Sequence, residues 1–147
     1  MTYESVLDTT YEAGLRMLLL LQAKGSSATS DYLAVLDTLI VNAETLGVGD
    51  RDINGVHRLA AGEVGQRSAL ASQALKDLAL QGLVCYEPAY GGSFTLTQNG
   101  NHVVKLMSTS YAKAYATMAV AVLDQFGGAT EQGLIAYVAG KSMEGAH

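Results

Sequence analysis

One cysteine, one proline and no tryptophan occur in 147 residues, and only 16% of the chain is charged. A lone cysteine, Cys85, can form no internal disulfide, which removes the staple of small secreted domains and suits a reducing compartment. Its place on a short strand predicts a buried packing thiol rather than a nucleophile. Nine Lys and Arg face fourteen Asp and Glu, for a net charge of −5. The cations are scattered singly, so the basic patch of a non-specific nucleic-acid binder is missing. The longest unbroken apolar run in the first helical stretch is Met17–Leu21, far short of the ~20 residues a membrane span needs. The opening MTYESVLDTT lacks the basic and apolar regions of a signal peptide. Together these features predict a soluble, cytoplasmic protein.

Catalytic signatures are also scarce. His57, His102 and His147 have no metal-ligand spacing, and there is no Cys-x-x-Cys. Neither a Gly-x-x-x-x-Gly-Lys phosphate loop nor a Gly-x-Ser-x-Gly elbow occurs. Asp50, Asp52, Asn54 and Gly55 reproduce the opening of an EF-hand calcium loop. However, the closing twelfth position is Ala61, which supplies no carboxylate, and the eighth is His57. An Asx-rich turn is the expected outcome. His57, Glu63 and Arg67 could converge, as a structural hydrogen-bond cluster rather than an active site. No enzyme activity, cofactor or metal is expected.

What the chain has is apolar helix. Hydrophobic residues make up 49% of it, enough for one domain with apolar surface left for a partner. The stretch 67–104 is the organising one. Leu70, Ala71, Ala74, Leu75 and Leu78 recur at helical spacing, predicting a helix over 68–81 stopped by Gly82. Residues 83–86 read as a strand, Gly91-Gly92 as a hairpin turn and 94–96 as the returning strand, with Thr97 capping a further helix. Helix, strand, turn, strand and capped helix predict the recognition helix and wing of a winged helix-turn-helix. Leu96-Thr97 with Gly100 resembles the end of the wing in many bacterial winged-helix proteins.

The fold class expected is therefore mainly α with a small β wing. A winged-helix core would span about residues 10–106 and C-terminal helices about 107–140, with a frayed tail at 141–147, all in one domain. The first helix should run from Thr9 or Thr10 to Lys24, ending at Gly25. It is apolar nearly all round, with Arg16 expected as a snorkelling surface residue. The second should span about 31–46 with Ser30 as its cap. Asp37 lies within its apolar face, where it could meet Arg16 or another cation. Ser110 is expected to cap a helix reaching 125–126, with Tyr111, Tyr115, Met118 and Val122 on one stripe and Ala112, Ala116 and Ala119 on a small-residue stripe beside it. Core packing and a subunit interface compete for these stripes. Thr130 should cap a last short helix.

A DNA-reading role would fall on Ser68, Ser72 and Gln73 at base edges, with Arg67 and Lys76 on phosphates. That footprint is thin for a winged-helix reader, whose affinity comes from several phosphate contacts.

From Tyr11 to Phe126 the chain resembles the small middle component of bacterial three-component ABC ATPase conflict systems, the group that includes Lamassu-like anti-phage systems. The residues carrying the resemblance begin with Leu15-Arg16 and the run Met17–Leu21, then Leu36-Asp37, Val56-His57 and Gly62-Glu63. They continue with Arg67, Gly82-Leu83-Val84, and the segment from Ser108 to Tyr111 with its alanine-rich helix. The family's prolines after the histidine, and its second arginine, are replaced here by the shorter Arg58-Leu59-Ala60-Ala61. The resemblance implies a non-catalytic winged-helix adaptor seated on a coiled-coil ATPase of the SMC or Rad50 type and linking it to an effector, often a nuclease. It implies that His57, Glu63 and Arg67 order the central loop or meet the ATPase. Tyr111, Ala112, Tyr115 and Ala116 are the partner-binding candidates from spacing, and direct nucleic-acid binding should be weak or absent. The rival readings are a dimeric winged-helix transcription regulator and a self-assembling structural subunit.

Overall fold

Threonine hydroxyls start most of the helices among the described residues. The computed structural model describes residues 9–43, 46, 47, 49 and 63–145. Among them are α1 (Thr10–Lys24), α2 (Ser30–Val41), α3 (Glu63–Leu80), α4 (Gln98–Leu106), α5 (Ser110–Phe126) and α6 (Glu131–Gly145). Thr9, Thr29, Thr97 and Thr109 are extended N-caps whose side chains accept from the backbone N–H three residues on, and Thr130 Oγ1 does the same for Gly133. Each such bond satisfies one of the four orphan donors at a helix start and is typically worth about 1 kcal/mol. Ser30 and Ser110, the expected caps, are instead the first helical residues behind Thr29 and Thr109.

Three helix boundaries differ from expectation. α3 begins at Glu63, five residues before Ser68, and so includes Arg67. Nothing in 63–67 breaks a helix except Gly65, whose cost of about 1 kcal/mol against Ala is small beside the burial of Arg67. α2 stops at Val41, where Asn42 leaves helical geometry (φ −114°, ψ 32°). α6 runs through Gly145, past Gly140. Lys141 lies 5.7 Å from the Tyr137 ring centroid one turn back, a cation–π contact that helps carry the helix onward.

The sheet is small and antiparallel: β1 (Val84–Glu87) pairs with β2 (Ser93–Leu96) in the register Val84↔Leu96 to Glu87↔Ser93. The outer edge of β2 is covered by Ala28, which exchanges two backbone hydrogen bonds with Phe94 (3.1 and 2.8 Å). The segment between α1 and α2 thus adds a one-residue third strand. Alternation along β1 buries Val84 and turns Cys85 outward, so the thiol is exposed and not a packing group.

One core serves all of these elements. Met17–Leu21 of α1 and all nine residues Leu33–Val41 of α2 are buried. Leu75 of α3, Val104 of α4, Tyr115 and Val122 of α5, and Leu134 and Val138 of α6 join them. α2 is the central helix, packed against α1, α3, α5 and α6. The C-terminal helices are tied down by polar contacts as well. The Tyr32 hydroxyl donates to the Ala129 carbonyl (2.9 Å), and the Tyr137 hydroxyl donates to the Leu46 carbonyl (2.7 Å).

Two glycines are required by geometry. Gly82 sits at φ +77°, where it ends the α3 turn. Gly100 packs α4 directly on the chain below: a Cβ there would collide with the Leu83 carbonyl oxygen and come within 2.7 Å of Leu96 Cδ1. Gly82→Ala should cost about 1 kcal/mol. Gly100→Ala should cost more, about 1–3 kcal/mol, because backbone must move. Thermal melting beside the exposed substitution Ala121→Ser checks both; melting temperatures equal to that control would contradict them.

Candidate functional site: a buried charge cluster and the surface around it

Asp37 lies in the middle of the most buried helix, with only 3% of its surface exposed. An ionised carboxylate in such a place must be paired. Arg16 of α1 donates through Nε to both carboxylate oxygens, at 3.0 Å to Oδ1 and 3.3 Å to Oδ2. Arg67 of α3 donates through Nη1 to Oδ2 at 3.2 Å. The Tyr115 hydroxyl of α5 donates to Oδ1 at 2.7 Å. Four helices therefore meet on one carboxylate. Arg16 is 1% exposed and Arg67 6%, so the cluster is sealed from water. Arg16 Nη2 is buried without a hydrogen-bond acceptor among the described residues.

Burial alone would raise the Asp37 pKa, but Arg16, Arg67 and the Tyr115 hydrogen bond outweigh it and hold the group below the usual carboxylate range. Burial likewise works against the Arg16 cation, and Asp37 overcomes it, so that guanidinium stays charged. Burial and then the Asp37 charge push Tyr115 well above the ordinary phenol value. Burial also raises Tyr111, against the opposing pull of the Arg16 charge. At neutral pH the cluster is Arg16⁺, Arg67⁺ and Asp37⁻, with both tyrosines neutral. No group in it is poised near pH 7 for proton transfer.

Arg16 is thus a buried ion-pair donor and not the snorkelling surface residue its apolar neighbourhood suggests. Its guanidinium points inward because Asp37 lies opposite it on α2. Arg67 is spoken for by the same carboxylate. Of the other candidates, His57 lies outside the described residues, as does the whole Asp50–Ala61 loop. Glu63 is the first residue of α3, with its side chain outside the described ones. Ala112 and Tyr115 are core residues, 7% and 0% exposed. Tyr111 is 40% exposed and Ala116 half-buried, and Tyr111 stacks on Tyr115 with centroids 6.5 Å apart.

The residues of the DNA-reading set are largely engaged within the chain. The Ser68 hydroxyl donates to Asp31, and Gln73 Nε2 donates to Asp77 Oδ1 at 3.0 Å. Ser72 and Lys76 line a groove of about 760 Å³ between α3, the sheet and the starts of α2 and α6. Leu80 and Tyr86 stand at this groove 88% and 52% exposed, and spacing alone singled out neither. Among the described residues no group of three or more His, Cys, Asp or Glu could hold a metal, and no helix is long and apolar enough to cross a membrane.

Among the described residues the strongest chemistry is a sealed ion cluster that ties four helices together. The family is explicit: this chain belongs to the Middle Component 2 family of ABC-three component (ABC-3C) systems, whose model matches residues 6–146. No curated protein and no solved structure matches it.

Replacing Asp37 by Asn should leave two buried arginines without their carboxylate and cost about 3–5 kcal/mol. Because the folded pKa of Asp37 is lowered, its stabilisation is full above the unfolded carboxylate value of about 4 and is lost as pH falls through the folded value. Tyr115 is raised, so its share is full below about pH 10 and is lost as pH climbs further. Urea unfolding from pH 2 to 11 should show both losses in the wild type. The acid-side slope should be shallower in Asp37→Asn, and an unchanged slope would contradict the assignment.

Proposed function

We propose that this chain is the adaptor of its ABC-three component system: it binds the coiled-coil, SMC- or Rad50-type ATPase and links it to an effector in a bacterial anti-phage complex, without catalysis of its own. The observation that carries the reading is membership of a middle-component family across nearly the whole chain. The sealed cluster supports it, since its charged groups hold helices together and offer nothing to a substrate. The element order α1–α2–α3–β1–β2, with Ala28 pairing onto β2, is what a winged-helix core would have. On that reading α3 is the recognition helix and the β1–β2 turn the wing.

The regulator reading draws on the same order but has little to bind phosphate with. Arg67 faces Asp37 in the interior, which leaves Lys76 as the sole cation of the five residues assigned to DNA. A winged-helix protein that depends on phosphate contacts needs several. We therefore assign the solvent face of α5, where the half-buried Ala116 and the 59% exposed Val120 lie one turn apart, to the ATPase.

Co-expression with the ABC ATPase of the same system should give a complex that survives size exclusion at elevated salt, because apolar contacts are not screened. Val120→Glu or Ala116→Glu should release the ATPase while circular dichroism of the isolated chain stays unchanged. The adaptor reading is overturned if the chain elutes alone and instead binds random duplex DNA with a sub-micromolar dissociation constant that Lys76→Glu abolishes.

A further inference from the structure

The groove between α3 and the sheet has a definite chemistry. Its floor and rim are apolar, with Phe94 buried at the base, Tyr86 packed on it at 5.0 Å between centroids, and Leu80 almost wholly in water. An exposed leucine next to a half-exposed tyrosine over a concave surface is what an anchor residue from a partner would cover. At about 760 Å³ the groove lies in the range that takes a drug-sized ligand, room for a short peptide segment with a bulky side chain. A stable interface, which buries roughly 800 Å² on each partner, would extend beyond the groove onto the surface around it.

Its charge leans acidic, with two carboxylates and one ammonium among the lining residues. The starts of α2 and α6 both open on the groove, and each carries an acid, Asp31 and Glu131. Helix N-termini attract anions through free N–H groups and the macrodipole. Here each end already holds a carboxylate, and the Glu131 side chain accepts from Thr29 across the gap at 3.2 Å. Lys76 is the one cation among the groove's lining residues. A phosphate or an acidic peptide entering would meet two carboxylates against one ammonium, whereas a guanidinium would find acceptors at the wall.

We propose that this groove seats a segment of a partner protein in which a bulky apolar residue is flanked by arginine or lysine. The apolar group packs against Leu80, Tyr86 and Phe94, and the cation faces Asp31 and Glu131. This deepens the adaptor reading, on which it rests only for the expectation that the occupant is a protein subunit.

The test is selection of random twelve-residue peptides, displayed on phage, against the full chain, with the consensus peptide then synthesised and titrated. The selected peptides should pair a Leu, Phe or Met with at least one Arg or Lys. Leu80→Glu should weaken the consensus peptide by about thirtyfold, the scale of a buried anchor. Glu131→Lys should weaken it by about tenfold at low salt and by less at high salt. Because Leu80 is 88% exposed, its substitution should leave the melting temperature unchanged. An acidic consensus overturns the proposal, as does no consensus at all or one indifferent to Leu80→Glu. Tighter binding of a twenty-base-pair duplex, lost in Leu80→Glu, would assign the groove to DNA and overturn it equally. Failure here with the ATPase still co-purifying removes the groove alone. Basic-apolar peptides that bind to a chain recovering no ATPase would instead remove the adaptor reading and leave the groove standing.

Discussion

Asp37 is a charge placed where the chain can least tolerate one unpaired, and most of the architecture follows from the partners it demands. Moving a carboxylate out of water costs several kcal/mol even after relaxation, so α2 can occupy the centre only if cations and donors arrive with it. They come from α1, α3 and α5, at 3.0, 3.2 and 2.7 Å. Apolar packing among Leu- and Ala-rich helices is non-directional and tolerates small shifts along the axis. A carboxylate bonded from three sides tolerates little, because a shift of one turn moves Arg16 or Tyr115 about 5.4 Å out of reach. The ion cluster therefore discriminates among registers that the surrounding leucines treat alike.

The apolar excess of the sequence has a different destination from the one its amount suggests. Composition alone points to a face left over for a partner. Yet α1 is covered by α3, α4, α5, α2 and β2, and α2 is buried along nine consecutive residues. The aromatic stripe of α5 goes inward too, with Tyr115 and Val122 fully buried. Among the described residues, the large apolar side chains that remain outside are scattered: Tyr11, Leu80, Tyr86, Leu106, Tyr111, Val120 and Ile135. Single exposed apolar side chains are ordinary. Leu80 and Tyr86 differ from the rest in sharing one concavity, whose lining carries two carboxylates and one ammonium.

Local chemistry in the sequence was legible wherever a bond closes within a few residues. Thr97 as a cap, Gly25 and Gly82 as helix stops, and the turn between two short strands all depend on neighbours no more than four positions away. The errors have the same origin seen from the other side. Arg16 and Asp37 are 21 residues apart, Asp37 and Arg67 30, and Asp37 and Tyr115 78. No spacing rule spans such distances, so Arg16 read as a surface residue and Asp37 as a charge in search of a cation. The apolar stripe begins at Leu70 and carries no sign of the turn before Ser68, which burial of Arg67 against Asp37 adds to α3. Cys85 was misread because a four-residue strand does not show which of its two faces is inward until Val84 is seen to be buried.

The element order leaves open what the surface of α3 binds. A fold leaves function open, and what decides is where each side chain of the exposed helix spends its hydrogen bonds. On α3, Arg67 turns to Asp37, Ser68 to Asp31 and Gln73 to Asp77. Each of these contacts removes from the solvent face a donor that base edges or phosphates would have required. Further along, Lys76 is followed by Ala79 and Leu80, and the helix ends on a residue that is nearly all in water and wholly apolar. Polar groups satisfied within the chain have little to gain from nucleic acid, whereas an exposed leucine gains about 25 cal/mol for each Å² a partner covers. For any occupant of this surface the drive would therefore come from desolvation of Leu80, and charge would do the choosing among occupants.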